Sequence, residues 1–600
     1  MKRVGREPAD LGLVALAAGA LAGGVLWAAG AVSARLAGHR VPPGRPLAGL
    51  AALAHPGDPA LAWGAPVGPP ALYWASTLAC AALVAVLAYA GAALVRRRLG
   101  RTEGPLRAPG LASRAEVAAA SGRRALLARA AVLRPSLVRP AAQQLGFCLG
   151  RSRGVECWAS VEDSMVVLGP PRSGKGMNLV VPAVLDAPGA VVTTSTRPDN
   201  LTVTLQARKR LGPVAVFDPQ GLARGVPAGL RWSPVRGCEV PRTAMLRAGA
   251  LCADAGESVT ESSYWRQQTQ IAVRCLLHAA AVGARPTSAL YTWSLSAPMA
   301  AEAVEVLSTH PGASPGWGKA LDSICGADPR TRDSIWSMVT NAFSALADPD
   351  VLEALSPEDD EAFDPERFLR DRGCLYLLGT AAGASATANL VAAFIEDVVE
   401  AARRLAARSV GARLDPPLAL VLDEAANYPL PSLPALMSEG GGTGITTMAV
   451  LQSLSQARDR WGRERAGAIW DAAIVKVVLG GSANADDLAD ISRLVGERDA
   501  EERSVSSGSG GRTVSVSTRP RPVLEPSMLR RIGFGHGLLL LRSAPPAMLQ
   551  LRPWTARRDA PELRASRAEL EEALRRAATA AATTVSPTAE GAGVPARKSA

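Results

Sequence analysis

The sequence predicts an α/β protein: a parallel-sheet domain carrying an all-helical insertion and following an N-terminal two-helix membrane anchor. Three observations carry that prediction. Short apolar runs alternate with helical stretches, the pattern of a parallel sheet with helices on both faces. One of these runs, 165–168, leads into the glycine-bounded loop Gly169-Pro170-Pro171-Arg172-Ser173-Gly174-Lys175-Gly176, and Met177 opens an apolar helical stretch beyond it. Near the start of the chain, 11–32 and 71–95 are apolar throughout, and each supplies the ~20 residues needed to cross a bilayer.

The anchor is read as residues 1–101. Lys2, Arg3 and Arg6 precede the first span, and Arg96, Arg97, Arg98 and Arg101 follow the second. These heavier clusters place both ends in the cytoplasm, although Arg35, Arg40 and Arg45 lie between the spans. Tyr73 and Trp74 read as interfacial anchors. The competing reading of the first span is a signal peptide cleaved near Val32-Ser33-Ala34. Its apolar run is long for one, and the second span would hold the chain in either case. The expectation is a multi-pass protein of the cell membrane with a large cytoplasmic body.

Charge follows the same division. The net charge is +12 over 600 residues, and up to Gly154 nineteen Lys and Arg face five Asp and Glu. The rest is nearly balanced, so the basic surplus lies beside the membrane, where anionic lipid attracts it. It gives no argument that the soluble part binds nucleic acid. Residues 102–144, with Arg107, Arg114, Arg123, Arg124, Arg129, Arg134 and Arg139, read as a basic, partly helical juxtamembrane connector. Eight scattered cysteines without a C-x-x-C give neither a zinc site nor a disulfide framework. The five histidines have no ligand or triad spacing.

The loop at 169–176 has the strand–loop–helix context of a P-loop. Backbone N–H groups in such a loop cradle phosphate oxygens beside the positive end of a helix. Lys175 would reach the β- and γ-phosphates. Gly176, however, stands where a Ser or Thr hydroxyl ordinarily holds Mg²⁺.

Strands are expected at 190–194 and 214–217, ending at Ser195 and Asp218. With Gly169 these would gather at the carboxyl edge of the sheet, where ligands bind. This is the first part of the nucleotide-binding domain, 145–237. From 238 to 359 apolar residues recur at helical spacing, which predicts the insertion, with Trp265 and Trp336 as packing residues. The domain resumes over 360–556 with a strand at 374–378. A second apolar strand, Leu418–Leu422, ends in Asp423-Glu424, the form of a Walker B element. Asp423 would hold Mg²⁺ directly or through water, and Glu424 would act as general base on the attacking water. The next strand, 445–451, ends at Gln452, placed to sense the γ-phosphate or the water. Further strands are expected at 474–479 and 537–541. The predicted catalytic set is therefore Lys175, Glu424 and Gln452, with ATP and Mg²⁺ as cofactors. The stretch 497–521 reads as a mobile loop. Within 557–600 a short charged helix, 563–577, precedes a disordered tail.

G-P-P-R-S-G-K-G at 169–176, S-T-R-P-D at 195–199, F-D-P at 217–219, W-S-P at 232–234 and Y-W at 264–265 occur in that order. L-V-L-D-E-A at 420–425 and L-Q-S-L-S-Q-A-R-D-R-W-G at 451–462 follow. In these motifs the chain resembles the TraG/TraD-type coupling proteins of type IV secretion systems. The resemblance implies a membrane-anchored, RecA-like P-loop ATPase that delivers DNA or a relaxase–DNA complex to a conjugation channel. It also implies a homo-hexamer with sites between subunits, completed by a neighbour's arginine. Here the sequence departs: the expected loop 438–445 holds no arginine, leaving Arg172, Arg330 and Arg332 as unranked candidates. Two alternatives are an FtsK-like double-strand DNA translocase and a nucleotide-binding adaptor that hydrolyses weakly. Asp423, Glu424 and Gln452 together favour the motor.

Overall fold

The computed structural model describes residues 8–42, 48–99, 108–223, 225–226, 229–253, 262–358, 361–379, 385–508 and 511–584. The chain forms two compact units, Met1–Gly104 and Pro105–Ala600.

In the first unit, helices Pro8–Leu36 and Pro70–Leu99 pack together. The segments Gly19–Leu36 and Pro70–Gly91 are long and apolar enough to cross a membrane. Tyr73 is not the interfacial anchor expected. It is buried, and its hydroxyl donates to the Leu26 carbonyl at 3.3 Å. A phenol among apolar helices needs such a partner. Trp74 is half-buried, and its indole N–H donates to the Pro56 carbonyl at 2.9 Å.

The second unit is organised by one sheet. Its strands in chain order are β1 (Gly146–Ser152), β2 (Val155–Ser160), β3 (Met165–Leu168), β4 (Val191–Ser195) and β5 (Val214–Phe217). There follow β6 (Cys374–Leu378), β7 (Leu418–Leu422), β8 (Ile445–Leu451) and β9 (Val475–Leu479). The chain then makes β10 (Glu497–Gly508) and β11 (Gly511–Pro522) before β12 (His536–Leu541) and β13 (Ala547–Gln550). Eleven of them form a sheet of order β2-β1-β13-β12-β9-β3-β8-β7-β4-β6-β5. From β9 to β5 every pairing is parallel, and from β12 to β2 every pairing is antiparallel. β3, β4, β6, β7 and β8 are buried at every residue. That is why they read as continuous apolar runs: a parallel sheet is covered on both faces. Burial of each Val or Leu side chain contributes about 1.5–3 kcal/mol.

Between Pro241 and Ala354 the described residues form helices and no strand. Trp336 is buried and Trp265 packs against the core, as expected of packing residues. The helices meet the α/β body at Trp232 of W-S-P, whose backbone N–H donates to the Ala354 carbonyl at 3.0 Å and whose ring lies under Arg247 at 5.2 Å. Its ring stacks on Phe394 at 4.8 Å, and its indole N–H donates to Asp397 at 3.0 Å.

Three stretches differ from expectation. Residues 497–521 are not a loop: β10 and β11 pair antiparallel over their whole length. The serine and glycine content masked the alternation in Thr513-Val-Ser-Val-Ser-Thr518, which suits a ribbon pairing chiefly with itself. Residues 438–445 are the end of helix Leu433–Thr443, closed by Gly444 in the left-handed region at φ 80°. Its glycines permit close packing, since a Cβ at Gly441 would lie 2.0 Å from the Glu162 carbonyl oxygen. The C-terminal helix is longer than predicted, Ala560–Thr584, while the rest of the expected tail lies outside the described residues. The stretch read as a connector packs on the body. Helix Arg114–Ser121 contacts β2, Arg129 pairs with Glu162 at 2.6 Å, and Arg134 pairs with Asp415.

Candidate functional site

Four adjacent parallel strands, β3, β8, β7 and β4, end at one edge of the sheet. The residues following them are Gly169, Gln452, Asp423 and Thr196, the last one position beyond β4. Neighbouring strands lie ~4.8 Å apart, so the loops they carry share one small space. Asp218 does not join them. It follows β5 at the end of the sheet, and its carboxylate accepts the backbone N–H groups of Leu222 and Ala223 at 2.8 and 2.6 Å.

The loop after β3 is held at both ends. Gly169 N–H donates to the Leu451 carbonyl at 3.0 Å, and Asn178 donates to the Gly174 carbonyl through its backbone N–H and its amide. Arg172 and Gly174 turn the chain with φ of 61° and 88°. At Gly174 only glycine suits: a Cβ would meet Asn178 Nδ2 at 2.6 Å and the Phe534 ring at 2.7 Å. The helix then opens with a wide turn, Gly176–Val180, and continues as Val181–Asp186. Met177 packs beside Trp554, while Pro171 and Arg172 are exposed and Pro170 is half-buried.

Lys175 is 8% exposed, and among the described residues neither its Nζ nor the Ser173 hydroxyl has a hydrogen-bond partner. Buried polar groups are ordinarily satisfied, and an ammonium is the costliest to leave bare. The phosphates of a nucleotide supply the missing acceptors, so the loop fits that ligand. A Cβ at Gly176 would meet nothing within 4 Å. No hydroxyl is offered to a metal there, but the space for one exists.

β7 ends in the two carboxylates. Burial pushes the Asp423 carboxyl up to about 6, the charge of Lys175 opposing that shift and the charge of Glu424 adding to it. Glu424 lies in the left-handed region, φ 51°, an uncommon conformation for this residue type. Its Oε2 accepts from the Thr196 hydroxyl at 3.0 Å and from Asn427 Nδ2 at 2.9 Å. Gln452 Nε2 lies 3.4 Å from Oε1. Ser453, two residues beyond β8, caps helix Leu454–Ala472, its hydroxyl accepting from Gln456 N–H at 3.1 Å, so Gln452 lies between the strand end and the helix cap.

Lys175, Asp423, Glu424 and Gln452 are thus brought together at one edge of the sheet. Thr196 and Asn427 were missed. Thr196 lies inside the quoted S-T-R-P-D motif, but only the pairing of β4 with β7 shows that its hydroxyl meets Glu424. Of the arginine candidates, Arg172 and Arg330 are exposed, and Arg332 bonds its neighbour Asp333 at 3.0 Å.

Residues 417–533 match the family model TraG-D_C, the TraM recognition site of TraD and TraG. Among solved structures, the chain is similar to the plasmid coupling protein TrwB in complex with ADP and Mg²⁺. That TM-score is 0.51 at 18% identity, covering 70% of this chain and 91% of the other. It is also similar to TrwB bound to a non-hydrolysable ATP analogue, with a TM-score of 0.50 at 18% identity over 67% and 89% of the two chains. At this identity the likeness shows a shared fold. None of the curated proteins compared matches the chain in sequence.

Proposed function

We propose that this chain is a membrane-anchored ATPase of the TraG/TraD coupling-protein kind, using ATP hydrolysis to drive DNA or a relaxase–DNA complex into a type IV secretion channel. The observation that carries the reading is the unpartnered, buried Lys175 ammonium in a glycine-turned loop, on the same sheet edge as Asp423, Glu424 and Gln452. The match over 417–533 and the fold shared with TrwB support the family assignment. The two apolar helices of the first unit support membrane anchoring, and the reading makes the chain a multi-pass protein of the cell membrane, assembled as a homo-hexamer.

In this reading the N–H groups of 172–176 and Lys175 hold the β- and γ-phosphates. Asp423, directly or through water, would hold Mg²⁺, which supplies charge neutralisation to the phosphates. Glu424 takes the proton of the attacking water, and Gln452 orients that water or contacts the γ-phosphate. Two observations favour a second reading, a nucleotide-binding adaptor with weak hydrolysis. Gly176 offers no hydroxyl, and the helix end at 438–443 offers no arginine.

The test is ATP turnover by the full-length protein in detergent or lipid nanodiscs, with and without single- and double-stranded DNA. Turnover that DNA stimulates, and that Lys175→Ala and Glu424→Gln abolish, supports the motor. A preference for double-stranded DNA would favour an FtsK-like translocase. ATP binding without turnover in hexamers would favour the adaptor.

A further inference from the structure

Glu424 is held more closely than a general base requires. Each carboxylate oxygen offers about two lone pairs. Those of Oε2 are occupied by the Thr196 hydroxyl at 3.0 Å and Asn427 Nδ2 at 2.9 Å. Among the described residues Oε1 receives only the longer contact from Gln452 Nε2 at 3.4 Å. The two donors to Oε2 come from different directions. Thr196 follows β4, the strand paired with β7, and Asn427 belongs to the short helical turn Ala425–Asn427 just after Glu424. The platform beneath them is tied as well. Thr194 Oγ1 donates to the Asp423 carbonyl at 2.8 Å, and the Tyr428 hydroxyl lies 2.6 Å from the Gly379 carbonyl and 3.2 Å from that of Ser195. β4, β6 and β7 are therefore cross-linked by hydrogen bonds at the ends that carry the clamp.

We propose that Thr196 and Asn427 are positioning residues that clamp Oε2 of Glu424, leaving Oε1, beside Gln452, as the oxygen that takes the proton of the attacking water. The inference rests on the ATPase reading above. As the water oxygen bonds to the γ-phosphorus and the bond to the β–γ bridging oxygen breaks, the water proton passes to Oε1. It then leaves to solvent as ADP and phosphate depart. The two bonds fix the Glu424 side chain from the neighbouring strand end and from its own following turn. A general base contributes about 10²–10⁴-fold, and small misplacements of reacting groups forfeit much of that.

The experiment compares full-length wild type with Thr196→Val, which keeps the shape and removes the donor, and Thr196→Ser, which restores the hydroxyl. Asn427→Ala and the Thr196→Val/Asn427→Ala double variant complete the set, with Glu424→Gln as the floor. The expected result is a fall in kcat of about tenfold for each single variant, with KM for ATP and binding of a fluorescent ATP analogue within about twofold. The double variant falls towards the Glu424→Gln floor, and Thr196→Ser recovers most of the rate. An unchanged kcat in both single variants overturns the proposal. So does a raised basal rate, which would make the contacts a restraint, or a loss that Ser does not rescue. If Thr196→Val does not fold, Asn427→Ala decides by the same kcat and KM readout. Absence of turnover in wild type refutes the ATPase reading itself, whereas an active Glu424→Gln variant refutes the assignment of Glu424 as the base and with it the clamp, so the two failures are distinguishable.

Discussion

Gly176→Ser tests whether the metal side of the site lies where the fold puts it. The structure accepts the change without strain. A Cβ at 176 meets no atom within 4 Å, and Gly176 is not among the glycines with positive φ. The helix propensity difference between Gly and Ser is only about half a kcal/mol, so the ligand-free melting temperature should barely move in a chain of this length. The gain should appear with magnesium. A tethered hydroxyl that replaces one metal-bound water releases that water, an entropy gain of about 0–2 kcal/mol. About 1.4 kcal/mol is tenfold in an equilibrium constant. The Mg²⁺ concentration for half-maximal ATP turnover should therefore fall by up to about thirtyfold, with Gly176→Ala unchanged as the control. The assay is a Mg²⁺ titration at saturating ATP on the full-length protein. An unchanged midpoint in Gly176→Ser, or a matching shift in Gly176→Ala, would refute the assignment of this position to the metal.

Two further predictions concern the site and the body that supports it. The Asp423 carboxyl is raised from 3.8 to about 6 in the folded protein, first by desolvation. The fold therefore holds a proton that the unfolded chain has already released, and this group's contribution to stability decreases as pH rises from about 4 to about 6. Mg²⁺-dependent nucleotide binding should show an acid limb near pH 6. Higher Mg²⁺ should move that limb to lower pH, which isothermal titration in a pH series would measure, and Asp423→Asn should remove it. Arg247 is 2% exposed, pairs with Asp397 at 2.6 Å and lies over the Trp232 ring at 5.2 Å. Arg247→Met strands the Asp397 carboxylate and should cost about 3–5 kcal/mol. Thermal denaturation should show that loss, and Asp397→Asn in the same background should recover part of it.

The sequence alone determined the local pieces of this protein. The apolar run Leu418–Leu422 and the β-rich Ile445–Leu451 read as buried strands of a two-sided sheet, and the polar residues that follow them fall at its ligand-binding edge. The loop at 169–176 declares its chemistry through spacing, because the turn at Gly174 and the lysine after it are local requirements. What local pattern cannot specify is which strands become neighbours, since pairing in a parallel sheet is made by long crossovers. Only the tertiary structure placed β8 between β3 and β7, bringing Gln452 to Glu424, and placed β4 beside β7, bringing Thr196 to the same carboxylate. The antiparallel edge of β1, β2 and β13, the ribbon at 497–522 and the helix ending at Gly444 were hidden for a related reason. Their glycines and polar residues read as loop locally, and take regular form because of long-range pairing and close backbone approach.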